Sequence, residues 1–278
     1  MDFPAHFIAA TTAYSTLTEY VPAPYLRKSF TLTGRPEKAE LLICGLGFYD
    51  LWVNGQKVTK GPLAPYISAP DDLLYYDAYD LTSFLEAGEN VLGICLGNGF
   101  LNNPGGYIWS FQNAKWRTAP EVALRLEVTM PGGEALIIES DESFRTAPSP
   151  IYNDDFRNGE YYDARKEIPG WAAPGFDDSS WSKALAAPLP RGEAVLCTAE
   201  PIVVVREIAP VAIIPQEDGY LYDFGVNTTG LCRLHIHGEE GQTLTFYHGE
   251  LLIGGKLNMR NIAFDDNDYV QKDIYICR

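Results

Sequence analysis

The chain has 278 residues, 46% of them hydrophobic, and a formal net charge of −16. That length suits one large or two ordinary domains, and the apolar share is enough for a buried core. The charge argues against nucleic-acid and anionic-membrane partners, which both need a basic face, and nothing approaches the run of about 18 apolar residues that a membrane-spanning helix needs.

The N-terminus, Met1-Asp2-Phe3-Pro4-Ala5-His6, has no basic lead and no long apolar stretch, so no signal peptide is expected. Strand signals then dominate. Residues 41–44, 91–96, 122–128 and 135–138 are short apolar or alternating runs bounded by Gly, Pro, Asn or Asp. Asn54-Gly55 predicts a type I′ hairpin turn, and Gly132-Gly133 another tight turn. Residues 80–85 predict at most a short helix, capped by Asp80 or Thr82. Ala186-Ala187-Pro188-Leu189-Pro190-Arg191-Gly192 reads as a linker. The strand pattern restarts at 202–208 and continues through 231–238, 243–248 and 273–277. Short strands with turn signals between them predict an all-β fold. The expected units are 1–195 and 196–278.

Five cysteines (Cys44, Cys95, Cys197, Cys232 and Cys277) form no CxxC. Three of them sit among strand-type apolar residues, so free buried thiols and a reducing cytoplasm are expected, and a zinc site is not.

The densest chemistry lies in Asn158-Gly159-Glu160-Tyr161-Tyr162-Asp163-Ala164-Arg165, then Pro169-Gly170-Trp171 and Phe176-Asp177-Asp178-Ser179-Ser180-Trp181. Carboxylates and amides bond sugar hydroxyls, and aromatic rings stack on pyranose faces. The competing reading makes Trp171 and Trp181 core residues and the acids turn formers. Glycoside hydrolysis needs two carboxylates across one bond. Adjacent acids such as Asp71-Asp72, Asp154-Asp155, Asp177-Asp178 and Asp265-Asp266 point to opposite faces of a strand and do not supply that pair. No catalytic residue is assigned. His235 and His237 share one strand face, with His248 as a cross-strand candidate, but a third metal ligand is not evident. There is no G-x-S-x-G, and Gly97-Asn98-Gly99 is a turn, not a phosphate loop.

These segments, in order, resemble the N-terminal region of bacterial α-L-rhamnosidases. The resemblance is carried by Tyr25-Leu26-Arg27-Lys28-Ser29-Phe30, Gly45-Leu46-Gly47-Phe48-Tyr49-Asp50-Leu51-Trp52-Val53-Asn54-Gly55, Asp80-Leu81-Thr82 with Gly88-Glu89-Asn90, the 158–181 stretch, and Tyr222-Asp223-Phe224-Gly225-Val226-Asn227. It implies a galactose-binding-like jelly-roll sandwich followed by a second, incomplete β-sandwich domain with an open edge or apolar face around 200–278. It also implies an accessory fragment of a glycosidase whose acidic residues sit on an (α/α)6 barrel beyond this chain. The fragment alone is expected to be inactive. The implied partners are a rhamnosylated glycoside or polysaccharide, the protein's own catalytic domain, and a second copy through the incomplete domain. The alternative is a free-standing carbohydrate-binding module or a scaffold. Candidate sugar-binding residues are Asn98, Asn102, Tyr107 and Trp109 on one loop, and Asp154, Asp155, Asn158 and Glu160 on another. No cofactor is assigned. The resemblance raises calcium, but Gly97-Asn98-Gly99-Phe100 stands where the family often has GDGW, and a neutral amide for a carboxylate weakens such a site.

Overall fold

The computed structural model describes residues 3, 6–16, 18–103, 113–263 and 271–278. In chain order the first strands are β1 (Ile8–Ala9), β2 (Pro24–Leu32), β3 (Lys38–Leu46), β4 (Phe48–Val53), β5 (Gln56–Lys57), β6 (Leu73–Asp80), β7 (Gly88–Gly97), β8 (Glu121–Thr129), β9 (Ala135–Glu139) and β10 (Arg145–Pro148). They continue as β11 (Ile151–Asp155), β12 (Gly159–Asp163), β13 (Ser182–Lys183), β14 (Leu185–Ala186) and β15 (Glu193–Leu196). Two sheets face each other. One runs β14-β1-β8-β3-β6-β15, with β9 also on β8; the other runs β13-β10-β2-β7-β4-β5. The chain is all-β, with only short 3-10 turns besides, among the described residues.

The period-2 pattern explains the core. Alternate residues of β8 (Val122, Leu124, Leu126, Val128) meet alternate residues of β7 (Leu92, Ile94, Leu96) and β4 (Tyr49, Leu51, Val53) in one buried cluster. Each fully buried aliphatic side chain there contributes about 1.5–3 kcal/mol of transfer free energy. At the Asn54-Gly55 hairpin both residues have positive φ (51° and 81°), as a type I′ turn requires. Residues 80–85 form no α-helix. A 3-10 turn spans Thr82–Phe84, and Asp80 closes it by accepting from the Thr82 amide and hydroxyl.

The outer face of the second sheet is covered by the Pro169-Gly170-Trp171 and Phe176–Trp181 segments. Trp171 stacks on Tyr25 at 4.0 Å and Trp181 on Tyr25 at 6.4 Å, and both tryptophans are buried. Gly93 makes the close approach feasible, since a Cβ there would stand 2.9 Å from the Trp171 ring. Trp171 and Trp181 are therefore core residues.

The remaining strands are β16 (Ala212–Gln216), β17 (Gly219–Asp223), β18 (Thr243–Tyr247), β19 (Leu251–Ile253), β20 (Lys256–Asn258) and β21 (Lys272–Ile276). The pairs β16-β17 and β19-β20 are isolated hairpins. The third sheet, β11-β12-β21-β18, crosses from the first unit to the second. β21 pairs parallel with β12 and antiparallel with β18, so residues 272–276 lie inside a sheet, and Cys277 is buried. An open edge at the end of the chain is thus not what the structure shows. The apolar surface lies elsewhere. Residues 202–208 and 231–237, strand-like in sequence, join no ladder among the described residues. Val205 is 87% exposed and Leu231 73%. Nor is 186–192 a free linker. β14 and β15 flank it and both belong to the first sandwich, with β15 parallel to β6.

Candidate functional site at the rim of the first sandwich

Two loops singled out by the sequence meet at one rim: 98–103, after β7, and the β11–β12 hairpin. Asn98 is buried. Its amide nitrogen donates to Asp154 Oδ1 (2.6 Å) and to the Val21 carbonyl (3.0 Å), and its side-chain oxygen accepts from Asn102 (2.8 Å). The Asn98 backbone amide reaches Asp154 Oδ2 at 2.6 Å. Asn102 accepts from the Ser15 amide (3.0 Å). Asn103 donates to Asp155 (3.3 Å), whose other oxygen takes the Arg157 amide (2.8 Å) and the Asn158 amide (3.2 Å). The Asn158 carbonyl accepts from Lys272 of β21 (2.9 Å). These amides and carboxylates therefore bond one another and the backbone, tying the N-terminal segment, the β7 loop and the hairpin together. Tyr107 and Trp109 lie outside the described residues.

Glu160 differs, because it is exposed. It stands directly opposite Asp154 in the β11–β12 register, so both side chains share a face. Desolvation, then the charges of Asp154, Asp273 and Asp50, push the Glu160 carboxyl upward, an effect that its exposure to water screens. Burial likewise raises Asp154 to about 6, against the hydrogen bonds from Asn98 and Gly99 that oppose the shift. The Glu160 amide donates to Asp273 Oδ1 (2.8 Å), and Asp273 Oδ2 lies 2.7 Å from His248 Nε2. Cys232 Sγ is 4.0 Å from His248 Nδ1, but desolvation and the Asp273 charge raise its pKa, the opposite of nucleophile activation. His235 and His237 are exposed, off any ladder. No group of three or more His, Cys, Asp and Glu side chains is placed to hold a metal ion among the described residues.

Beside this network, at the same end of the sandwich, opens a cleft of about 400 Å³ lined by Gly45, Gly47, Tyr66, Tyr75, Phe100 and Trp116, among others. Gly47 (φ +96°) is needed where the β3–β4 turn crosses β7, since a Cβ would stand 2.1 Å from the Gly97 carbonyl. Tyr66 and Phe100 offer apolar ring faces to a ligand. Sequence reasoning did not single out Tyr66, Tyr75 or Trp116 because they are scattered along the chain, and only the fold gathers them.

The acid pairs are committed elsewhere. Asp71 pairs with Arg191 at 2.8 Å, Asp177 accepts from the Ser179 amide, and Asp178 pairs with buried Arg27. Asp265 and Asp266 lie outside the described residues.

Residues 34–206 match the family described as the alpha-L-rhamnosidase N-terminal domain, and residues 214–278 the bacterial alpha-L-rhamnosidase concanavalin-like domain. An α-L-rhamnosidase of Formosa agariphila is 32% identical over 274 residues, covering 92% of this chain but 27% of its own length. The structure of α-L-rhamnosidase from Dictyoglumus thermophilum superposes with a TM-score of 0.85 at 30% identity, covering 99% of this chain and 31% of that one. The Streptomyces avermitilis α-L-rhamnosidase, solved in complex with L-rhamnose, gives 0.85 at 29% identity, over 93% of this chain and 25% of that one. The chain thus spans roughly a quarter of the curated relative and a quarter to a third of the two solved chains. With more than half of its length matched by one family and strands that follow its solved members, the chain belongs to the α-L-rhamnosidase N-terminal domain family.

Proposed function

We propose that this chain is the non-catalytic N-terminal part of an α-L-rhamnosidase whose remaining domains hydrolyse terminal α-L-rhamnosyl residues of glycosides or polysaccharides. One observation carries the reading: 99% of the chain superposes on under a third of a rhamnosidase. The commitment of Asp71, Asp155, Asp177 and Asp178 to structural bonds supports the absence of a hydrolytic pair in it. The exposed apolar side chains of Val203, Val204, Val205, Val211 and Leu231 fit a surface that packs on the rest of that enzyme, or on a second copy when the chain is alone. The buried free thiols Cys44 and Cys95 suit a reducing cytoplasm.

The test uses an aryl α-L-rhamnoside. No turnover above buffer is expected from this chain, and turnover that scales with its concentration overturns the reading. A second role is weak sugar binding at the rim, on the cleft walls Tyr66 and Phe100. Net gains of only about 0.5–1.5 kcal/mol per hydrogen bond keep such affinity low. Calorimetry with L-rhamnose, with and without calcium, measures it. Binding that survives Tyr66→Ala with Phe100→Ala counts against the cleft.

A further inference from the structure

Three side chains of the second half of the chain, far apart in sequence, stand in one line. Cys232 Sγ lies 4.0 Å from His248 Nδ1, and His248 Nε2 lies 2.7 Å from Asp273 Oδ2. The third sheet fixes two of them. His248 directly follows β18, and Asp273 belongs to β21, whose register with β18 sets Phe246 opposite Asp273 and Tyr247 opposite Lys272. The other Asp273 oxygen, Oδ1, accepts from the Glu160 amide of β12 at 2.8 Å, so the carboxylate is held from a second strand as well. Cys232 is exposed, and the His248 and Asp273 side chains are partly so, which leaves the line open to a solute.

An ionised carboxylate only accepts hydrogen bonds, so the contact with Asp273 places the proton of a neutral His248 ring on Nε2. The Nδ1 lone pair then faces the Cys232 sulfur. A ring whose far N–H is fixed by a carboxylate is the form in which histidine ligates metals. The spacing agrees. A d10 ion binds thiolate sulfur at about 2.3 Å and imidazole nitrogen at about 2.0–2.1 Å, which sets the two donors about 3.5 Å apart at a tetrahedral angle and about 4.4 Å apart at a linear one. The separation of 4.0 Å falls between these limits.

We propose that Cys232 and His248 form a two-ligand site for a soft monovalent d10 cation, copper(I), with Asp273 as the residue that positions the imidazole. Thiolate selects soft ions. Coordination number selects among them. Asp273 sits on the Nε2 side of the ring, away from an ion at Nδ1, and no third His, Cys, Asp or Glu side chain joins the pair among the described residues. Two donors satisfy copper(I), whereas a zinc ion takes four and would be underbound. Binding breaks the Cys232 S–H bond and forms one sulfur–copper and one nitrogen–copper bond. The thiol proton leaves to solvent, and no electron is transferred, so the ion must arrive as copper(I).

Anaerobic titration of the whole chain with copper(I), in competition with a chromogenic copper(I) chelator, tests this. A Cys197→Ser background removes the other thiol that is not buried. One ion per chain is expected. Cys232→Ser should abolish the uptake, and His248→Gln should weaken it at least about tenfold. Nitrogen-15 NMR of the His248 ring reads the site with both ligands intact: the Nδ1 resonance should move on addition of one equivalent of copper(I), while Nε2 keeps its proton. Asp273→Ala should weaken uptake about tenfold and shift the ion-free ring away from the Nε2–H tautomer. Uptake that survives Cys232→Ser, an affinity unchanged in His248→Gln, or an Nδ1 resonance that ignores the ion overturns the site. An unchanged tautomer in Asp273→Ala overturns the positioning role.

Discussion

Arg27 and Asp178, 151 positions apart, form an ion pair beside the ring of Phe176. The Arg27 side chain is 1% exposed, and its remaining donors reach the Trp171 carbonyl (2.9 Å) and the Ala173 carbonyl (3.2 Å). This one side chain locks the whole 171–178 segment over the second sheet. Acids and aromatics that read as a sugar-facing surface are thereby accounted for as a clip.

Removing Asp178 leaves the buried guanidinium with only the half-exposed Glu89, 3.8 Å away, as a counter-ion. Asp178→Ala is expected to cost about 3 kcal/mol, which for a domain of this size is roughly 6–12 °C in Tm. Calorimetry checks it; a shift within about 2 °C means the pair is idle.

Gly159 and Gly132 share φ +109°, yet their surroundings differ. A Cβ at Gly159 would lie 2.0 Å from the Lys272 carbonyl, whereas one at Gly132 meets nothing within 4 Å. Gly132→Ala therefore measures backbone strain alone, about 1–2 kcal/mol. Gly159→Ala adds a clash that β21 relieves only by leaving β12. Limited proteolysis should cut the 259–278 stretch of Gly159→Ala at least several-fold faster than that of Gly132→Ala. Equal rates would show that β21 does not depend on this close approach.

How far the sequence spoke for the fold depends on where each strand's partner lies. The alternation along β3 and β8 specifies a face, and both strands find partners on both sides, so sequence and structure agree there. Residues 202–208 carry a β-branched apolar run of the same strand type, but a strand needs a ladder, and none forms for them among the described residues. Asn98 shows the second limit. An amide on a Gly-rich loop looks the same in sequence whether it faces solvent or, as here, donates inward to Asp154 and Val21. The match of Gly93 to the Trp171 ring, 78 residues away, exists only once the sheet is built.

Glu121 is buried opposite Leu46 and Ala9, and its Oε2 has no hydrogen-bond partner. Burial pushes its carboxyl up to about 8. The folded state therefore holds a proton that the unfolded chain releases near pH 4–5, and stability drains away as pH rises from about 5 to 8, by up to about 1 kcal/mol per unit. Glu121→Gln keeps the shape and removes the titration. Urea melts at pH 5.5, 6.5 and 7.5 should show a falling midpoint in the natural chain and a flatter one in the variant. Parallel profiles would mean that Glu121 is charged or hydrated in the fold.

Asn98→Asp puts a carboxylate in place of this buried amide, and the structure predicts that the fold resists it. The amide now gives two hydrogen bonds, to Asp154 at 2.6 Å and to the Val21 carbonyl at 3.0 Å, and takes one from Asn102 at 2.8 Å. A carboxylate keeps the last, loses both donors, and sets a second negative charge against Asp154. Two carboxylates at that separation cannot both ionise, so one proton becomes shared and titrates with the pair. At pH 8 that proton is scarce, and the variant should lose about 3 kcal/mol through repulsion and unmet buried acceptors. Toward pH 5.5 the shared proton restores one hydrogen bond, and the deficit should shrink by at least about 1 kcal/mol. Paired urea melts of both proteins at the two pH values measure it. A variant within about 0.5 kcal/mol of the natural chain at pH 8, or one whose deficit ignores pH, would show that the loop opens and lets the new carboxylate face water.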